Sequence, residues 1–175
     1  MKNYRQLITQ EADKLNKLHK KVHETFRFRG EGEKGYRAWE EACKLFHEYK
    51  SPLDEYFEKA CNCEKFDDKD LLEFVVQFLE VDPWFFRSGY LKEIFLTKIK
   101  RSNISVKTKT RLRNILMDAV NKRGAREYKY YCRLAVQVAD ENIIDFLKEA
   151  EKSDGARRKN RALLMLDYIA KHKEQ

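Results

Sequence analysis

A chain of 175 residues with 42% hydrophobic and 38% charged side chains has the makeup of a globular protein long enough to bury a core. Six Gly and two Pro are too few for a strand-and-turn architecture, and the longest purely apolar run, Ala162 to Leu166, is far below bilayer-spanning length. The net charge of +8 is regional: residues 92–133 hold 13 Lys/Arg against 3 Asp/Glu, whereas 1–91 carries 16 against 18 and 134–175 carries 8 of each.

Apolar residues recur at helical spacing along nearly the whole chain. A first helix is predicted over about 4–26, with Leu7, Ile8, Leu15, Leu18, Val22 and Phe26 on one face. It stops before Gly30-Glu31-Gly32-Glu33-Lys34-Gly35, read as a flexible stretch. Tyr36, Trp39, Ala42, Cys43, Phe46 and Tyr49 mark a second helix. Ser51-Pro52 reads as an N-cap with proline at the first position of a third, over about 52–61, carrying Leu53, Tyr56, Phe57 and Ala60. Asp67-Asp68 opens a fourth, whose set Leu71, Leu72, Val75, Val76, Phe78 and Leu79 is wide enough for burial on more than one side. Asp82-Pro83 repeats the cap-plus-proline pattern, and Ser88 is expected to cap a fifth helix with Leu91, Ile94, Phe95 and Ile99. Leu112, Ile115, Leu116, Ala119 and Val120 define a sixth, over about 106–123, with Gly124 as its C′ residue. Tyr128, Tyr131, Cys132, Ala135 and Val138 define a seventh, Asp140 caps a short eighth, and a ninth runs over about 156–171.

The expectation is an all-α protein of about nine helices, one domain over 1–175 with N-terminal helices (1–81) and a repeat-like part (82–175). Antiparallel helix pairs would pack as a bundle or a short superhelical array. Helix starts near 88, 106, 125, 140 and 154 are regularly placed, and that spacing resembles the HEAT/armadillo class of irregular helical repeats. The resemblance implies stacked helix pairs and carries no activity. The segment Asp82-Pro83-Trp84-Phe85-Phe86-Arg87-Ser88-Gly89-Tyr90-Leu91-Lys92-Glu93 is similar to segments of bacterial all-helical proteins, a likeness that implies no site residues.

The basic region resolves into faces on three successive helices. Lys107, Arg111 and Lys122 oppose the apolar stripe of the sixth, flanked by Lys109 and Arg113. Arg126, Lys129, Tyr130 and Arg133 share a face of the seventh at i, i+3, i+4 and i+7. Lys98, Lys100 and Arg101 precede both, and Lys98 sits oddly within an apolar stripe, three residues after Phe95. Arg157, Arg158, Lys159 and Arg161 extend the surface if the chain curves back. Clustered cations suit phosphates or an acidic protein, and Tyr130 suits base stacking. The same cations also fit solvated helix faces and dipole-complementing helix ends.

Chemical motifs are sparse. His19 and His23 stand at i, i+4 but lack the glutamate of the zinc-protease pattern; Cys43, His47, Cys61 and Cys63 form a conceivable zinc tetrad with atypical spacing. There is no Gly-rich phosphate loop and no nucleophile elbow. Trp84-Phe85-Phe86, with Tyr90 and Phe95, reads as a core hinge between helices in preference to an exposed hot spot, and Arg87 and Tyr90 beside it could face a groove. The start, Met1 to Gln6, lacks the apolar core of a signal peptide, and the four cysteines fit free thiols, so the cytosol is expected. The reading is a non-catalytic binding or scaffold module needing no cofactor or metal and not inserted in a membrane. Its surface would meet an acidic protein partner or, alternatively, nucleic acid.

Overall fold

The computed structural model describes residues 2–122 and 126–173. Nine α-helices and no strand occur among them: α1 (Arg5–Phe26), α2 (Glu33–Glu48), α3 (Asp54–Asn62), α4 (Lys69–Val81), α5 (Ser88–Ile99), α6 (Val106–Asn121), α7 (Tyr128–Val138), α8 (Glu141–Glu151) and α9 (Ala156–Lys173). This all-α architecture follows from the apolar period, since each helix buries one stripe against its neighbours. The contacts fall into two rows. α3, α5, α7 and α9 touch in succession, as do α4, α6 and α8, and α4–α5, α6–α7 and α8–α9 contacts tie the rows together. α1 packs on α4, and α2 packs on α1 alone.

One cluster of buried apolar side chains extends from Tyr4 to Ile169. α4 lies inside it: Leu71, Phe74, Val75, Val76, Gln77, Phe78 and Leu79 are all buried, as the wide apolar set of this helix predicted. Burying each phenylalanine stabilises the fold by roughly 1.5–3 kcal/mol. No helix among the described residues is long and apolar enough to cross a membrane.

Three helices start on side-chain caps, two of them on aspartates that the sequence indicates. Asp68 accepts the Asp70 and Leu71 N–H groups, Ser105 accepts that of Thr108, and Asp140 that of Ile143. Three other signals act differently. Ser51 and Pro52 precede a turn, and α3 begins only at Asp54; the Ser51 hydroxyl accepts the Leu53 N–H while the Asp54 carboxylate accepts the Ser51 N–H. Asp82 starts no helix but ends α4 in the left-handed conformation (φ 50°). Ser88 is already the first residue of α5, preceded by Arg87 at φ 70°, and its hydroxyl accepts the Phe85 N–H. Gly124, the expected C′ residue of α6, lies outside the described residues.

The N-terminus of α1 is capped from afar. Buried Gln77 of α4 accepts the Tyr4 and Arg5 N–H groups with its oxygen and donates its amide to the Lys2 carbonyl and to Glu73. The glycine-rich stretch between α1 and α2, expected to be flexible, is a defined turn. Gly32 adopts φ 87°, and a Cβ on Gly35 would stand 2.0 Å from the Phe28 carbonyl oxygen.

Candidate binding surface

Many cations of the basic region are spent inside the fold. Arg111 is 17% exposed and bridges Glu73 (2.7 Å) and Glu80 (2.6 Å) of α4, with Arg5 joining Glu80 from the far side at 2.7 Å. Burial by itself raises the Glu80 pKa, but the hydrogen bonds from Arg111 and Arg5 outweigh it and hold the group below its ordinary value. Arg113 donates to the Val138 carbonyl at 2.7 Å and pairs with Asp140 at 3.0 Å. Lys98 donates to the carbonyls of Ala60 (2.9 Å) and Cys61 (2.5 Å), closing the C-terminus of α3. That contact explains a lysine within an apolar stripe: its stem packs and its head meets orphan carbonyls.

Lys122 and the buried Lys92 share Asp82, at 3.3 and 2.5 Å, and Arg126 pairs with Glu93 at 2.8 Å. Residues 157–161 do not extend a common face: Arg161 is buried and donates to the Val120 carbonyl, while Arg158 donates to Asn121. Lys107 is exposed and Lys109 half-buried, both in the first turn of α6.

What remains is a compact group where the end of α5 meets α7. Lys100, Arg101, Tyr130 and Arg133, with Leu96 and Thr97, line a notch of about 330 Å³. Lys129 and Arg133 lie 5.0 and 5.2 Å from the Tyr130 ring centre, and Arg133 donates to the Tyr168 hydroxyl at 3.3 Å. Among the described residues no carboxylate forms an ion pair with Lys100, Arg101, Lys129 or Arg133.

A second concavity lies where Arg87 and Tyr90 face a groove, the lesser of the two sequence expectations for this segment. The aromatic segment before α5 divides rather than forming one core hinge: Phe85 turns inward against Phe57 and Phe78, while Trp84 (69% exposed), Phe86 and Tyr90 face outward. They rim a cleft of about 740 Å³ between α1 and the α5–α7 end, floored by Lys92, Tyr128 and Tyr131. Three consecutive aromatics carry no polarity pattern of their own, so the sequence favours a fully buried hinge and does not show which ring faces outward.

Among the described residues no three His, Cys, Asp or Glu side chains converge on a position for a metal ion. His19 and His23 meet edge to face at 4.5 Å, and His19 stacks on Phe86 at 5.0 Å. Burial, then His23, keeps the His19 pKa below its ordinary value. The four cysteines are free; Cys132 is buried, which pushes its thiol pKa up to about 12. No family model matches the chain, and no curated protein or solved structure is similar to it.

Proposed function

We propose that this protein is a non-catalytic helical binding module whose working surface is the α5–α7 notch, and that its partner is an acidic segment of another protein. The observation that carries the reading is the convergence of Lys100, Arg101 and Arg133 on a concave site that no described carboxylate neutralises. Most of the other cations of the region, Lys92, Lys98, Arg111, Arg113, Lys122 and Arg126, bond to carboxylates or carbonyls, so unpaired charge that converges on one concave site is concentrated here. A helical scaffold with few glycines holds such a group at fixed spacing, which lowers the entropic cost of engaging a partner.

Nucleic acid is the second reading, favoured by Tyr130 between Lys129 and Arg133, an arrangement suited to a stacked base beside its phosphate. Fluorescence anisotropy with a labelled oligoglutamate peptide and a labelled single-stranded oligonucleotide separates the two. The peptide is expected to bind at low salt, and Arg101→Glu with Lys129→Glu and Arg133→Glu to abolish the signal while the melting temperature holds. Preferential binding of the oligonucleotide, with log K falling against log salt at a slope near about −2 for three phosphates, selects the second reading. Absence of binding by both probes refutes the surface.

A further inference from the structure

The cleft beneath Trp84 and Tyr90 combines three properties. Its volume of about 740 Å³ lies within the range of small-ligand sites, roughly 300–1,000 Å³. Its rim offers flat aromatic surface, since Trp84, Phe86 and Tyr90 are each about half exposed or more. Its wall is cationic: Arg87, Lys92, Lys122 and Arg126 line it against the carboxylates of Asp82 and Glu127.

The floor is poised to receive an acceptor. Lys92 has a side chain only 4% exposed, with one hydrogen bond to Asp82 and Glu127 at the longer distance of 3.9 Å. An ammonium carries three N–H donors, so this one retains unspent donors beside the cavity. Arg126 lies over the Tyr90 ring at 4.2 Å and gives Glu93 only its Nε. The backbone adds one further sign: Arg87, at the rim and lining the cleft, holds a positive φ of 70°, whereas the positive φ of Asp82 belongs to the end of α4. In a non-glycine residue such a conformation costs of order 1–3 kcal/mol and is concentrated at ligand sites.

We propose that this cleft binds a small aromatic phosphate monoester, of the nucleoside monophosphate kind, with its ring against Trp84 and Tyr90 and its phosphate toward Lys92, Lys122 and Arg126. Lys92 and Lys122 share the single carboxylate of Asp82, so a phosphate monoester, with a charge of about −1.5 to −2 at neutral pH, can compete for one of them. The site is separate from the α5–α7 notch and stands or falls independently of it.

The test uses the full chain carrying Trp39→Phe, so that Trp84, the other of two tryptophans, reports alone. AMP is expected to quench Trp84 saturably and raise the melting temperature, at least about tenfold more tightly than adenosine or inorganic phosphate, a gain of about 1.4 kcal/mol. Lys122→Ala and Tyr90→Ala, both at exposed positions, are expected to weaken AMP binding about tenfold or more while costing the free protein at most about 1 kcal/mol of stability, the worth of an exposed pair. No response to AMP at millimolar concentration overturns the proposal. So does equal affinity for inorganic phosphate alone, binding of an oligonucleotide without binding of AMP, or full AMP affinity in both variants.

Discussion

Lys98, Arg113 and Arg161 each give hydrogen bonds to carbonyls that end a helix other than their own: Ala60 and Cys61 of α3, Val138 of α7 and Val120 of α6. Helices commonly end on glycine, which takes the left-handed conformation and lets the backbone satisfy its last carbonyls. With only six glycines in 175 residues, this chain uses neighbouring cations for part of that task. Lys98→Met keeps the apolar stem and removes the donor, and is expected to cost about 1–3 kcal/mol in urea unfolding. At Glu80 the folded pKa lies below the ordinary 4.5, so the unfolded chain binds the proton more readily. The stabilisation is therefore complete above about pH 4.5 and lost as pH falls through the folded value. Glu80→Gln should flatten that acid limb of the stability profile, measured by urea midpoints across pH. Arg111→Met leaves Glu80 with only the exposed Arg5 and Glu73 with only the Gln77 amide, and is expected to cost about 2–3 kcal/mol. Cys132, buried with its thiol pKa near 12, should resist alkylation in native protein and react only on unfolding, as mass spectrometry of iodoacetamide-treated samples would show.

At the level of helices, local caps were legible when the residue itself does the capping. Asp68 and Asp140 act as their sequence context indicates, whereas Asp82-Pro83 imitates a helix start and is a helix end. No local pattern marks the difference: the Asp82 carboxylate is held by Lys92, 10 residues on, at 2.5 Å and by Lys122, 40 residues on, at 3.3 Å. Gln77 capping α1 across 73 residues is invisible for the same reason. Asp140 has two roles, accepting the Ile143 N–H and pairing with Arg113. Asp140→Ala should therefore cost more than the roughly 1 kcal/mol expected for Ser105→Ala, which loses a cap alone. A double-mutant cycle with Arg113→Met should return a non-zero coupling energy, absent between Ser105 and Arg113.

For the whole molecule, helix number, order and most boundaries follow from the apolar period, because each stripe must find a partner. The positive segment was equally legible as a count, but its distribution was not. A helical wheel places Arg111 opposite the core stripe of α6, and there it meets α4, since a helix in a two-row arrangement has neighbours on more than one side. Outward on an isolated helix is not outward in the fold.

The solitary packing of α2 on α1 has an energetic consequence. Trp39 and Phe46 of α2, and Tyr49 just beyond its end, meet α1 or the cleft rim, and none belongs to the main buried cluster. α2 can thus detach while the two rows stay folded, whereas exposing α4 requires dismantling nearly everything. In native-state hydrogen exchange, α2 amides should lose protection through a sub-global opening with a denaturant slope smaller than that of global unfolding, and α4 amides only through global unfolding. The protein would then have two thresholds of cooperativity. The lower one governs the aromatic wall beside the cleft, where Phe46 of α2 touches Phe86 and His19.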